Sequence, residues 1–233
     1  GQCALRANTT GAYNVAIGLN TLRANTIGIN NTALGNNALR CNSVGNFNTA
    51  IGLCTLQANT SGSHNTAIGC CALRYNSSGN NNTAIGHLAL CANTTGAYNT
   101  AIGQYALYNN TTGSCNTVIG IASGCNITTG NCNVVIGSYS GTGSTPSIAA
   151  SNNYVILSNG AQTVGAYWDG NIANGWIQAN NSTTWAQASD CRIKTNISGV
   201  QGALDIISQL KPVCFDYLTN NRRDVGFLAQ EYG

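Results

Sequence analysis

The chain is 233 residues long with a formal net charge of +3, and only 6% of it is charged, against roughly 25% in ordinary soluble domains. Four arginines (Arg6, Arg23, Arg40, Arg74) and no acid occupy residues 1–168, whereas five basic and six acidic residues fall in the remainder. That balance, without a lysine run, excludes the electrostatic footprint of a nucleic-acid binder, and no apolar run reaches the roughly 18 residues of a membrane span.

Nothing at the start resembles a secretory leader, and the chain contains no Met. Gly1 falls where Gly18, Gly35 and Gly52 close their motifs, so the sequence reads as a piece of a longer or processed polypeptide.

Asn-Thr-Ala-Ile-Gly, or a near variant, returns at a constant interval of 17 residues, its eight copies opening at Asn14, Asn31, Asn48, Asn65, Asn82, Asn99, Asn116 and Asn133. A fixed period without insertions requires every copy to occupy the same place in a stack, because a slip of one residue would turn a column of side chains to the other face. The expectation is an all-β fold: a parallel β-solenoid, or β-roll, of 17-residue coils over residues 1–137.

Each copy reads as two short strands separated by Gly and Asn turns. In the first strand, alternation puts Thr49 and Ile51 on one face and Ala50 on the other. Val15 and Val134 replace Thr, and Leu34 replaces Ile, which assigns the Thr and Ile columns to the interior. Leu5, Leu22, Leu39, Leu56, Leu73, Leu90 and Leu107 join them from the second strand.

The opposite face then carries Ala16, Ala33, Ala50, Ala67, Ala84 and Ala101, small enough to let a second backbone approach. Burying one Ile and one Leu contributes roughly 3 to 6 kcal/mol per coil, whereas ordering 17 residues costs on the order of 17 to 34 kcal/mol. Stacking and association with other copies of the chain must therefore contribute, and the expected partner is the chain itself, as a homotrimer or a filament.

Eleven cysteines lack the grouping of a zinc site, so neither a metal nor another cofactor is expected. Cys54 with Cys71, and Cys115 with Cys132, stand one period apart. Stacking would bring each pair to about 4.8 Å, near the lower limit for a disulfide, and pairing and simple stacking of small apolar groups both remain open.

Asn-x-Ser/Thr acceptors recur in one phase at Asn8, Asn59, Asn76, Asn93 and Asn110, and again at Asn30, Asn81, Asn109, Asn126, Asn180, Asn181 and Asn196. They are candidate glycosylation sites, although Asn in this pattern also suits turns. An ice-binding solenoid using Thr columns is disfavoured because the Thr column reads as inward.

The Asn-Thr-Ala-Ile-Gly copies resemble the Ser-Val-Ala-Ile-Gly repeats in the heads of trimeric autotransporter adhesins, and also the Asn-Thr-Ala-Ile-Gly arrays of phage and virus tail-fibre-like proteins. The first resemblance implies a left-handed parallel β-roll in a trimer, although the period here is longer than the adhesin repeat.

Residues 138–188 read as a linker (Gly141 to Pro146) followed by short strands and hairpin turns around Tyr154–Leu157, Asn159-Gly160, Tyr167-Trp168 and Asp169-Gly170. Trp168, Trp176 and Trp185 would form either a platform for a host-surface glycan or, more commonly, packing at the core of an oligomer.

Residues 189–233 carry Ser189-Asp190-Cys191-Arg192-Ile193-Lys194, then a helix candidate with Leu204, Ile207 and Leu210 on one side, then Leu210-Lys211-Pro212-Val213-Cys214-Phe215-Asp216-Tyr217 and Asp224-Val225-Gly226-Phe227-Leu228-Ala229-Gln230-Glu231. This order resembles the intramolecular chaperone and auto-processing domain at the C-terminus of phage tail spikes, endosialidases and related fibres.

The resemblance implies a small α+β piece in which Ser189 is the nucleophile and Lys194 the base for one self-cleavage at Ala188-Ser189. Lys194 would serve only if desolvation lowered its pKa towards neutrality. The family domain continues past Gly-Phe-x-Ala-Gln-Glu into a helical trimerising tail, so the domain reads as truncated at Gly233. The expected function is a structural fibre for attachment, extracellular or on a virion surface. The alternatives are a self-assembling glycosylated filament and a protein defined by its autoproteolysis.

Overall fold

Each 17-residue copy makes one coil with a single three-residue strand, and the strands stack in parallel register along the chain. They are β1 (Val15–Ile17), β2 (Thr32–Leu34), β3 (Thr49–Ile51), β4 (Thr66–Ile68), β5 (Thr83–Ile85), β6 (Thr100–Ile102), β7 (Thr117–Ile119) and β8 (Val134–Ile136). Thr49 sits over Thr66, Ala50 over Ala67 and Ile51 over Ile68. The computed structural model describes residues 1–142, 146–159, 163–171, 177–178, 213–216 and 223–226. It divides the chain into two units, Gly1–Trp185 and Ala186–Gly233.

The strand faces are opposite to the sequence expectation. Ala33, Ala50, Ala67, Ala84 and Ala101 are fully buried, whereas Ile17, Leu34, Ile68, Ile85, Ile102, Ile119 and Ile136 are between 36% and 58% exposed. The Thr column shares the outward face with them. The cause is the narrowness of the coil: Leu columns and two columns of Asn already occupy the interior, leaving beside the strand a space that Ala fits.

The Leu columns are interior as expected, but not on a second strand. Leu22, Leu39, Leu56, Leu73, Leu90 and Leu107 all have φ between 49° and 53°, in the left-handed region. That conformation costs roughly 1–2 kcal/mol for an L-residue, and full burial of a Leu side chain contributes about 1.5–3 kcal/mol, enough to hold it. Hydrogen bonds between coils continue through these turns: the Leu22 N–H donates to the Ala38 carbonyl at 3.0 Å, and the Asn37 N–H to the Leu19 carbonyl at 2.9 Å.

One glycine column is fixed by sterics. Gly69 has φ +125°, and a Cβ there would lie 2.6 Å from the carbonyl oxygen of Gly86 in the next coil. A side chain at this position would force the coils apart.

Two asparagine ladders run along the shaft. In one, Asn65 donates from Nδ2 to Asn48 Oδ1 at 3.1 Å and to the Gly79 carbonyl at 2.9 Å, while its backbone N–H donates to the same Asn48 Oδ1 at 3.0 Å. In the other, Asn76 Nδ2 donates to Asn59 Oδ1 at 2.8 Å and to the Gly79 carbonyl at 3.0 Å. The Gly79 carbonyl therefore ties the two ladders together. These amides are fully buried, and each is satisfied by its neighbours, as buried polar groups must be.

The second ladder stops at Asn110, whose buried Oδ1 accepts no hydrogen bond. Ile127 stands one period later, where another Asn would donate. In the same coil Gly124 replaces the Leu of the column and Val118 the Ala, and Val135 replaces the Ala of the next coil.

The stack continues beyond the sequence period. The Tyr154 N–H donates to Asn133 Oδ1 at 3.0 Å across 21 residues rather than 17. Strand β9 (Val155–Ser158) lies parallel on β8, with Val134 opposite Val155. Of the stretch read as a linker, Gly141, Thr142 and Pro146 belong to an enlarged ninth coil, inside which the Tyr139 hydroxyl donates to the Pro146 carbonyl.

Strand β10 (Val164–Trp168) then pairs antiparallel with β9, and β11 (Ile177–Gln178) antiparallel with β10. In the second unit, β12 (Val213–Asp216) and β13 (Arg223–Gly226) form an antiparallel pair with Val213 opposite Gly226 and Asp216 opposite Arg223. The helix candidate around Leu204, Ile207 and Leu210 lies outside the described residues. Among those described there is no helix, and none long and apolar enough to cross a membrane.

Candidate functional site

One feature of the shaft that is open to a partner is its outward Ile and Thr face. Successive Ile side chains repeat about every 4.8 Å along the parallel sheet, from Ile17 through Leu34, Ile51, Ile68, Ile85, Ile102 and Ile119 to Ile136, and Leu157 of β9 extends the column. Leu19, Leu53 and Ile121 are also exposed, two residues further along their coils. At strand and coil spacings the strip covers about 400 Å² in plan, a size at which exposed apolar surface marks an interaction site. The Ala columns, expected to meet another chain, are sealed inside.

Because the Thr column points outward, the objection to ice binding that rested on an inward Thr column falls. The column alternates with exposed Ile and Leu, so the face as a whole is apolar.

The structure places most of the in-phase glycosylation candidates in the interior of the coil. Asn59, Asn76, Asn93 and Asn110 are fully buried members of the second ladder, each donating from Nδ2 to the Asn before it and to a Gly carbonyl. Asn8 starts the same ladder, donating to the Gly11 carbonyl at 2.8 Å. A glycan needs the Nδ2 that the folded coil uses internally. Of the other acceptors, Asn30 and Asn81 lie on the surface.

Cys54, Cys71, Cys115 and Cys132 carry free thiols. Cys71 Sγ lies 3.5 Å from Cys70 Sγ. Burial, then the hydrogen bond and charge of Cys70, push the Cys71 thiol up from the ordinary cysteine range to about 11. Burial also raises Cys115, helped by the neighbouring Cys132. Among the described residues no cluster of three or more His, Cys, Asp or Glu could hold a metal.

Trp168 Nε1 donates to the Asn171 carbonyl at 3.2 Å, while Trp176 and Trp185 lie outside the described residues. So do Ala188, Ser189 and Lys194, the residues assigned to self-cleavage.

The fold defines a solenoid shaft. Towards the C-terminus, residues 189–232 match the family described as chaperone of endosialidase. No curated protein and no solved structure matches the chain.

The outward Ile face escaped sequence reasoning because alternation alone does not say which face is inside. A signal was present nonetheless: Ala gives way to Val118 in the coil where Leu gives way to Gly124, as expected of two columns sharing one enclosed volume.

Proposed function

We propose that this chain is the shaft segment of a homotrimeric, tail-fibre-like structural protein, exposed on a virion or outside the cell and used for surface attachment, with its C-terminal segment acting as a folding chaperone. The observation that carries this reading is the unbroken outward Ile column, which a lone chain leaves in water along its whole length. The chaperone-of-endosialidase match at residues 189–232 supports the same reading, since a folding module C-terminal to a repeat shaft suits a fibre that assembles from several chains.

Three copies meeting through their Ile faces would cover the strip and leave the polar turns to solvent. The same face would serve a filament, and particle size separates the two. Sedimentation of the full chain should give three times its 24.0 kDa mass, and Ile68→Asp with Ile85→Asp should reduce it to monomer. A wild-type chain that sediments as a monomer at micromolar concentration would overturn the proposal.

A second reading concerns self-cleavage. The family match begins at Ser189, the residue after the expected scissile bond. Ser189 Oγ would attack the Ala188 carbonyl as its proton passes to Lys194, which hands it on to the departing Ser189 amine; water then hydrolyses the resulting Ala188 ester, freeing the shaft with a carboxylate at Ala188 once per chain. Mass spectrometry of the same preparation should show a new N-terminus at Ser189 that disappears in Ser189→Ala, and equal cutting of that variant would defeat the mechanism.

A further inference from the structure

Arg6, Arg23 and Arg40 occupy one column on three successive coils, one period apart. With coils repeating about every 4.8 Å, the bases of three guanidinium side chains stand in line over roughly 10 Å. They line a groove of about 460 Å³ together with the small side chains of Ala7, Ala24 and Cys41.

Nothing in the shaft neutralises them. No Asp or Glu occurs before Asp169, and among the described residues none hydrogen-bonds to these three guanidinium groups. The fourth arginine of the column is different: Arg74 Nε donates to Gln57 Oε1 at 3.1 Å, and its guanidinium lies 5.1 Å from the centre of the Tyr75 ring. A ladder of like charges repels itself, and a row of anions laid along the groove removes that repulsion.

We infer that this groove binds an anionic polysaccharide, whose sulfate or carboxylate groups would be taken by successive guanidinium forks in the bidentate manner arginine favours. A repeating polymer suits a repeating ladder better than a single small anion. Three cations lined by Ala and Cys lack both the aromatic platforms on which single-stranded nucleic acid stacks and the roughly six to ten phosphate contacts of a duplex binder. They also lack the apolar side chains that a membrane-surface site would insert.

The inference adds a ligand class to the attachment reading and rests on that reading for its setting. The measurement does not depend on assembly, because the ladder is complete within one chain. Loss of trimer in the Ile68→Asp, Ile85→Asp variant and loss of polyanion in an Arg variant are separate results.

The test uses the full chain, with dextran sulfate and polygalacturonate as probes and neutral dextran and poly(dT) as comparisons, read by titration calorimetry. The sulfated or carboxylated polymer should bind, more weakly as salt is raised, while neutral dextran should not. Arg23→Gln and Arg40→Gln should each weaken binding at least tenfold, and Arg74→Gln should leave it unchanged. Arg6→Gln, at an exposed position, serves if the half-buried variants fail to fold. Unchanged affinity in the ladder variants, equal binding of neutral dextran, or tighter binding of poly(dT) would overturn the inference.

Discussion

Ile127 Cδ1 lies 3.0 Å from the point a Cβ on Gly124 would occupy, so these two residues share the space that a single Leu fills in the preceding coils. The Val118 methyls close on the same point at 3.3 Å. One coil has thus exchanged three residues together: Leu for Gly, Asn for Ile and Ala for Val.

This exchange predicts strong coupling. Gly124→Leu alone should destabilise the shaft by about 1–3 kcal/mol through overpacking, and Ile127→Ala by about 2–5 kcal/mol through the cavity it opens. The triple change Val118→Ala, Gly124→Leu, Ile127→Asn rebuilds the ordinary coil and supplies the missing donor to Asn110 Oδ1. It should unfold in urea at or above the wild-type midpoint, and additive losses would show that the three positions are independent.

The ladders make a second prediction. Asn65→Ala removes an amide that donates to Asn48 Oδ1 and the Gly79 carbonyl and accepts from Asn82. Groups in both adjacent coils would be left unpaired in the interior, each costing about 1–3 kcal/mol. Asn30→Gly, an exposed position with φ +56°, should stay within about 0.5 kcal/mol of wild type. Thermal unfolding of the two variants compares an interior rung with a surface turn of the same residue type.

The third prediction concerns alkaline pH. The folded chain holds the Cys71 thiol at about 11, above the roughly 8.5 of a free cysteine. The unfolded chain therefore releases its proton first, so Cys71 has no effect on stability below about pH 8.5 and lowers it as pH rises from there towards 11. Chemical denaturation of wild type and Cys71→Ala across this range should show a steeper loss in wild type. Alkylation of Cys71 should also lag behind that of a free thiol at pH 9.

The fold was legible to the extent that a repeating pattern can speak. The seventeen-residue spacing places Thr49 on Thr66 and Ile51 on Ile68, as the register has it, and the constancy of Leu56 and Leu73 marks them as interior. Ala50 and Ile51 were assigned to the wrong sides because substitution of Thr by Val shows tolerance of an apolar group, and a face awaiting a partner tolerates it as well as a core does. The left-handed turn at Leu56 was not legible, since Leu seldom adopts φ near 51°. Asn76 and Asn93 fit both a glycan acceptor and a buried rung, and only the positions of their neighbours decide between them. The assigned cleavage residues, Ser189 and Lys194, rest on motif order.

The change from parallel to antiparallel pairing between β8–β9 and β9–β10 has an evolutionary consequence. The coils before Val118 are near-equivalent, each meeting neighbours like itself, while the coil carrying Gly124 and Ile127 and the enlarged coil after it are fitted to their own places. Gain or loss of a whole 17-residue module among them leaves the coils that meet β9 and β10 undisturbed. Reach becomes a quantity that selection adjusts in steps of one coil, without redesigning either end.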